Sequence, residues 1–123
     1  MMVYIVTIVF YLQRFVVSGE WIQADFGDTF LITAILTRGS TIDYAGNGHR
    51  YTTEFTLHWS ITGQCWVTIQ NADGSDMVFD GNEDIFNTKR NDLSVITRFI
   101  RFVVVQYVHH PVVKWEFEGC LLN

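Results

Sequence analysis

The sequence predicts an all-β domain of two packed layers, a sandwich or barrel. Three observations carry this. Ten Phe, five Tyr and four Trp stand in a chain of 123 residues that has a single Pro, a composition suited to pleated, half-buried strands. Apolar residues recur with a period of two in several stretches, which sets them on one sheet face, whereas a helix would scatter them. About eight such stretches are separated by Gly, Asn and Asp turn signals, the pattern of short strands in a sandwich or barrel. At 49% apolar residues, the length suits one core and one domain.

The first segment, Met1 to Leu12, reads MMVYIVTIVFYL and is followed by Gln13, Arg14 and Phe15-Val16-Val17-Ser18-Gly19. It is shorter than the roughly twenty apolar residues that a membrane helix requires. Two readings stay open. It is the apolar part of a secretory signal, with small residues near Ser18, although no basic residue precedes it. Or it is a strand rich in β-branched residues, of the kind buried on both faces. Residues 1–18 are therefore set apart from the domain proper at 19–123.

Trp21 to Phe26 alternates and ends at Gly27-Asp28, and Phe30 to Thr37 follows with two largely apolar faces; together they are expected to form a hairpin. Arg38 to Tyr51 (RGSTIDYAGNGHRY) is a polar, Gly-containing loop that carries Ile42 and Tyr44 near its tip. Apolar side chains at the end of a long loop either fold back or serve a surface contact.

The strongest strand signal is Glu54 to Ile61. Phe55, Leu57, Trp59 and Ile61 share one face; Glu54, Thr56, His58 and Ser60 share the other. Gly63-Gln64 supplies a turn and Cys65 to Gln70 a return strand. Asn71 to Asp84 is turn-rich around a short Met77-Val78-Phe79 strand. Its carboxylates, Asp73, Asp76, Asp80, Glu83 and Asp84, lack the spacing of a calcium-binding EF-hand loop and are better explained by Asx turns.

Ile85 to Leu93 reads as a connecting loop, and Ser94 to Val108 as a long strand in mid-sheet. On it, Ile96, Arg98, Ile100, Phe102 and Val104 are expected on one side, with Phe99, Arg101, Val103 and Val105 on the other. Arg101 among apolar neighbours needs a partner, for which Asp25 is the candidate. His109-His110-Pro111 ends the strand. Adjacent His residues in extended chain point to opposite faces, which argues against a shared metal. Val113, Trp115 and Phe117 then alternate inward against Lys114, Glu116 and Glu118.

Charge and motifs exclude several functions. The net charge is -5, and the eight basic residues are scattered singly, so the positive stripe that nucleic acid requires is absent. Cys65 and Cys120 lack zinc spacing, and whether they pair with each other is open. No nucleophile elbow, phosphate loop or zinc-protease motif occurs. The reading is of a non-enzyme that uses no cofactor and no metal.

An ordered set of motifs narrows the reading further. Trp21-Ile22-Gln23-Ala24-Asp25-Phe26-Gly27 and Ile32-Thr33-Ala34-Ile35-Leu36-Thr37-Arg38-Gly39 resemble two signature segments of the discoidin family, also called the coagulation factor V/VIII type C domain. Phe55 to Trp66, Val78-Phe79-Asp80-Gly81-Asn82, Thr97 to Phe102 and Lys114 to Cys120 are similar to its later segments, in order, so that the resemblance runs from Glu20 to Cys120.

It implies a galactose-binding-domain-like jelly-roll β-sandwich, an extracellular or secreted binding and adhesion module. The implied ligands are cell-surface carbohydrate, phospholipid headgroups or a protein partner, held by loops at one end. The implied ligand-binding loop contains Ile42, Asp43, Tyr44, Asn47, His49 and Arg50. The family's opening third, with the Cys that pairs with the one matching Cys120, has no counterpart here, and Arg38 stands where the family has Gln. The chain thus resembles a truncated or divergent member, with no transmembrane span and with oligomers possible. The alternative function is an assembly domain that pairs through exposed sheet edges without a small ligand.

Overall fold

The structure, a computed structural model, describes residues 3–8, 21–39, 49–109 and 113–122. Seven strands form there: β1 (Val3–Ile8), β2 (Trp21–Arg38), β3 (Tyr51–Ser60), β4 (Val67–Thr68), β5 (Phe79–Asp80), β6 (Lys89–Val108) and β7 (Lys114–Leu121). Neighbours pair antiparallel in the order β1-β7-β2-β6-β3-β4, with β5 also on β3. Among the described residues, every regular element is a strand, and no helix is long and apolar enough to cross a membrane.

This single hydrogen-bonded sheet is folded into two layers. Phe102 lies opposite Ile22 of β2, and Trp115 opposite Thr37. Fifteen residues of straight strand would separate those two β2 positions by about 50 Å. Yet the Phe102 and Trp115 rings meet edge to face at 5.8 Å. So β2 turns back over itself. One layer holds its first half with the second half of β6, then β3, β4 and β5. The other holds its second half with the first half of β6, β7 and β1. Between them lie Ile32, Ile35, Phe55, Leu57, Ile100, Phe102, Val104, Trp115 and Phe117, all buried. The expected all-β jelly-roll sandwich is the fold.

The corner explains why the expected Trp21–Phe26/Phe30–Thr37 hairpin does not exist. Gly27, at φ +79°, supplies a left-handed residue, but the chain continues along β6 instead of reversing. Asp25 faces Phe99 and Phe30 faces Thr97, so four β2 residues lie opposite Arg98 alone. A bulge of this kind bends a strand and carries it from one layer to the other. A second irregularity at Thr33 flips the phase of β2: Ala34 and Ile35, adjacent in sequence, are both fully buried. That flip is why both faces of this segment read as apolar.

β6 flips likewise. Leu93 and Val95 pack against the core before the corner, and Ile100, Phe102 and Val104 lie inside it afterwards. Ile96 is 52% exposed, contrary to its expected grouping with Ile100. The strand also begins at Lys89, inside the expected Ile85–Leu93 loop, because β2 offers a pairing edge there. Smaller differences follow the same rule that a partner edge sets strand length. The return strand shrinks to Val67–Thr68, the short strand shifts to Phe79–Asp80, and Ile61 lies beyond β3 at 47% exposure. Val113, Trp115 and Phe117 face inward as expected.

Among the described residues Val3–Ile8 is the last strand beyond β7; the rest of residues 1–18 lies outside the described residues, as do His110 and Pro111. Cys65 is exposed and Cys120 half-buried, and both are free thiols.

Candidate functional site

The end of the sandwich where β2 leaves for β3 gathers the candidate site. The turn between β5 and β6 packs against the feet of that connection, at Arg38, Gly39 and His49. Gly39 shows why the chain closes tightly there: an added Cβ would lie 2.7 Å from both the Arg50 carbonyl oxygen and the Tyr51 Cβ. Ile85, 5% exposed, plugs the space beside Gly39, and its carbonyl accepts a long hydrogen bond (3.4 Å) from the Arg38 Nε.

Asn82 pins the turn to the sheet. Its side-chain amide is buried and donates to the Thr37 carbonyl at 2.9 Å and to the Asn87 carbonyl at 3.1 Å. The backbone N–H groups of Gly81 and Asn82 donate to Thr53 and Thr52 at 2.7 and 2.9 Å. Asp84 then shapes the tip. Its Oδ1 accepts the backbone N–H groups of Phe86 (2.9 Å) and Asn87 (2.8 Å), and its Oδ2 accepts the Asn87 side-chain amide (2.8 Å). These donors, the Asn87 backbone N–H first, hold the Asp84 carboxyl below its ordinary range.

The consequence is an aromatic held in solvent. Phe86 is 66% exposed, and its ring meets the His49 ring edge to face at 5.9 Å. Arg50 is half-buried at the foot of the same connection. Of the six residues expected to form a ligand loop, His49 and Arg50 thus lie together at this end. Ile42, Asp43, Tyr44 and Asn47 lie outside the described residues.

Phe86 was not legible as a site residue, because Ile85 to Leu93 reads as a connecting loop. The available signal was the Asp84-Ile85-Phe86-Asn87 run, in which Asp and Asn mark a turn that carries two adjacent apolar residues.

Other expected chemistry is used structurally. The guanidinium of Arg101 sits 4.1 Å from the Trp21 ring centroid and 3.8 Å from that of Trp66, and its Nε donates to Gln23 Oε1 at 3.0 Å. Asp25, its expected partner, pairs instead with Arg98. The bulge that faces Arg98 brings that side chain to Asp25, whereas Arg101 lies opposite Gln23 in the register. The Asp73 carboxylate accepts the Ser75 hydroxyl (2.6 Å) and backbone N–H (2.9 Å), closing an Asx turn. Among the described residues no group of three His, Cys, Asp or Glu side chains could hold a metal. Among the described residues, this end presents the exposed Phe86 ring beside His49.

Comparison with known proteins agrees with the fold. The chain is 34% identical over 103 residues to the non-catalytic subunit of the venom prothrombin activator pseutarin-C of Pseudonaja textilis, a match covering 81% of this chain and 7% of that protein. It is 32% identical over 109 residues to human coagulation factor V, covering 86% and 5%. The chain therefore spans a small part of these relatives. In fold it is similar to discoidin II of Dictyostelium discoideum, with a TM-score of 0.77 at 17% identity over 92% of this chain and 42% of that one. The F5/8 type C domain model matches residues 12–117, and the chain belongs to that family of non-catalytic binding modules.

Proposed function

We propose that this chain is an extracellular recognition module that meets a cell surface through its loop end. Phe86 carries the reading. An aromatic side chain left in water forgoes roughly 1.5–3 kcal/mol of burial, and here the Asp84 hydrogen bonds hold the backbone in the turn that exposes it. In this reading Ile42 and Tyr44, expected at the tip of the neighbouring loop, add to that apolar surface, and Asp43, Asn47, His49 and Arg50 are the polar contacts expected with them.

Apolar tips ringed by polar groups suit the headgroup layer of a phospholipid bilayer, where Tyr and its relatives concentrate. The net charge of -5 makes insertion, not attraction to anionic lipid, the expected driving force. Cell-surface carbohydrate, whose faces stack on aromatic rings, and a protein partner are the other ligand classes for the same end.

The test is co-sedimentation with phosphatidylcholine vesicles, with and without phosphatidylserine, run beside a glycan array. Wild type is expected to bind one of these surfaces, and Phe86→Ala and Tyr44→Ala each to weaken it about tenfold, the equivalent of ~1.4 kcal/mol. A Phe86→Ala/Tyr44→Ala double variant that binds every surface as tightly as wild type sinks the proposal.

A further inference from the structure

The two layers are unequal at one side, and the inequality has the shape of a strand. In the layer that holds β7 and β1, here the inner one, the first half of β6 is the last strand: among the described residues, Lys89–Thr97 pair with β2 alone. In the other, outer layer, β3, β4 and β5 continue past that point. The overhang leaves a cleft of about 840 Å³ walled by Leu31, Trp59, Ile69, Met77, Leu93 and Val95. Thr68, Gln70, Asp92 and Ser94 also line it, and one wall is the β6 backbone, unpaired on that side among the described residues, which offers alternating N–H and C=O groups to an incoming strand.

The opposite end of the same layer is β1. Its sequence, VYIVTI, has no charge and no Pro, the devices that normally blunt an edge. Among the described residues it pairs with β7 alone. The far edge of the other layer is blunted by brevity, since β4 and β5 are two residues each.

Direction also matches. β1 is antiparallel to β7, β7 to β2, and β2 to β6, so β1 runs opposite to β6. A second copy in the same orientation therefore presents its β1 antiparallel to the open edge of β6.

We propose that this cleft is the acceptor site for β1 of a second copy of the chain. The pairing continues the inner layer from one molecule to the next and covers the overhanging face of β3 and β4. The interface is heterologous, using different patches on the two partners, so it generates rings or filaments instead of a closed two-fold dimer. It is separate from the loop end and independent of any ligand bound there.

Sedimentation velocity of the full chain over a range of concentrations tests the site. Successive residues of a strand point their N–H groups to opposite sides, so one of two adjacent proline variants interrupts the outer edge alone. Ile5→Pro and Val6→Pro form the donor pair; Ser94→Pro and Val95→Pro form the acceptor pair. Near-UV circular dichroism of the Trp residues selects the member of each pair that keeps the native core.

Wild type is expected to form oligomers whose size grows with concentration, and each selected variant to be monomeric. An equimolar mixture of the two variants is expected to stop at a 1:1 dimer, because the pair holds a single intact donor and a single intact acceptor and the dimer uses both. Three results overturn the proposal: a monomeric wild type at every concentration, acceptor variants that oligomerise like wild type, as in β1-to-β1 pairing, or a mixture that stays monomeric.

Discussion

Arg98 grips Asp25 across the corner between the layers: Nε lies 2.9 Å from one carboxylate oxygen and an Nη 3.1 Å from the other. The carboxylate also accepts the Gly27 N–H at 2.8 Å, so the residue that turns the bulge and the pair that closes it share one anchor. The Arg98 hydrogen bond, followed by that of Gly27, holds the Asp25 carboxyl below its ordinary value.

This sets a pH dependence. The folded state gives up the Asp25 proton more readily than the unfolded chain, whose carboxyl titrates near about 3.9. The stabilisation is fully present above that value and is lost as pH falls through the lowered one. Asp73 and Asp84, also lowered, act in the same direction. Melting temperature is expected to fall below about pH 4, and Asp25→Asn to flatten part of that fall. Because both side chains are more than a third exposed, added salt is expected to shrink the effect. An Asp25→Asn melting profile that overlays wild type from pH 2 to 7 contradicts it.

Arg101, held between Trp21 and Trp66, fastens the β3–β4 hairpin end to the start of β2. Arg101→Lys keeps the charge but loses the planar surface that stacks on both rings. A loss of about 1–2 kcal/mol is expected in urea denaturation, with intrinsic Trp fluorescence shifting as the rings lose their cover. A variant with wild-type stability would show that the stack contributes nothing.

Asn82→Ala leaves the carbonyls of Thr37 and Asn87 without their side-chain donor in a buried setting. The expected cost is about 1–3 kcal/mol. Asn82→Asp is expected to fare no better, since a carboxylate cannot donate to either carbonyl. Thermal unfolding of both variants measures this directly.

Gly39→Ala drives a Cβ against the Arg50 carbonyl and Tyr51, backbone neighbours that cannot rotate away. It is expected to cost about 1–3 kcal/mol and to move the connection between β2 and β3. Any surface binding by the loop end is expected to weaken with it, while Ile61→Ala, an exposed change far from that end, is expected to leave binding intact. Equal binding by Gly39→Ala and wild type would show that the foot of the loop does not position its tip.

Alternation alone determined much of this protein. Phe55 and Leu57, and Val113, Trp115 and Phe117, declare their buried face in the sequence, because a strand of constant phase has a period of two and its neighbours need not be known. The ordered motifs from Trp21 to Cys120 likewise carried the family and the sandwich. What alternation cannot express is a change of phase. The corner at Phe26–Thr29, the flip at Thr33 and the reversal of inner and outer faces along β6 arise where one strand is paired to another of different residue count. Only the partner determines that count. The same holds for the long-range choices: Arg98 instead of Arg101 for Asp25, and Phe86 beside His49. These contacts join residues whose separation in sequence says nothing about their distance, and they exist because the sheet folds back on itself at a bulge.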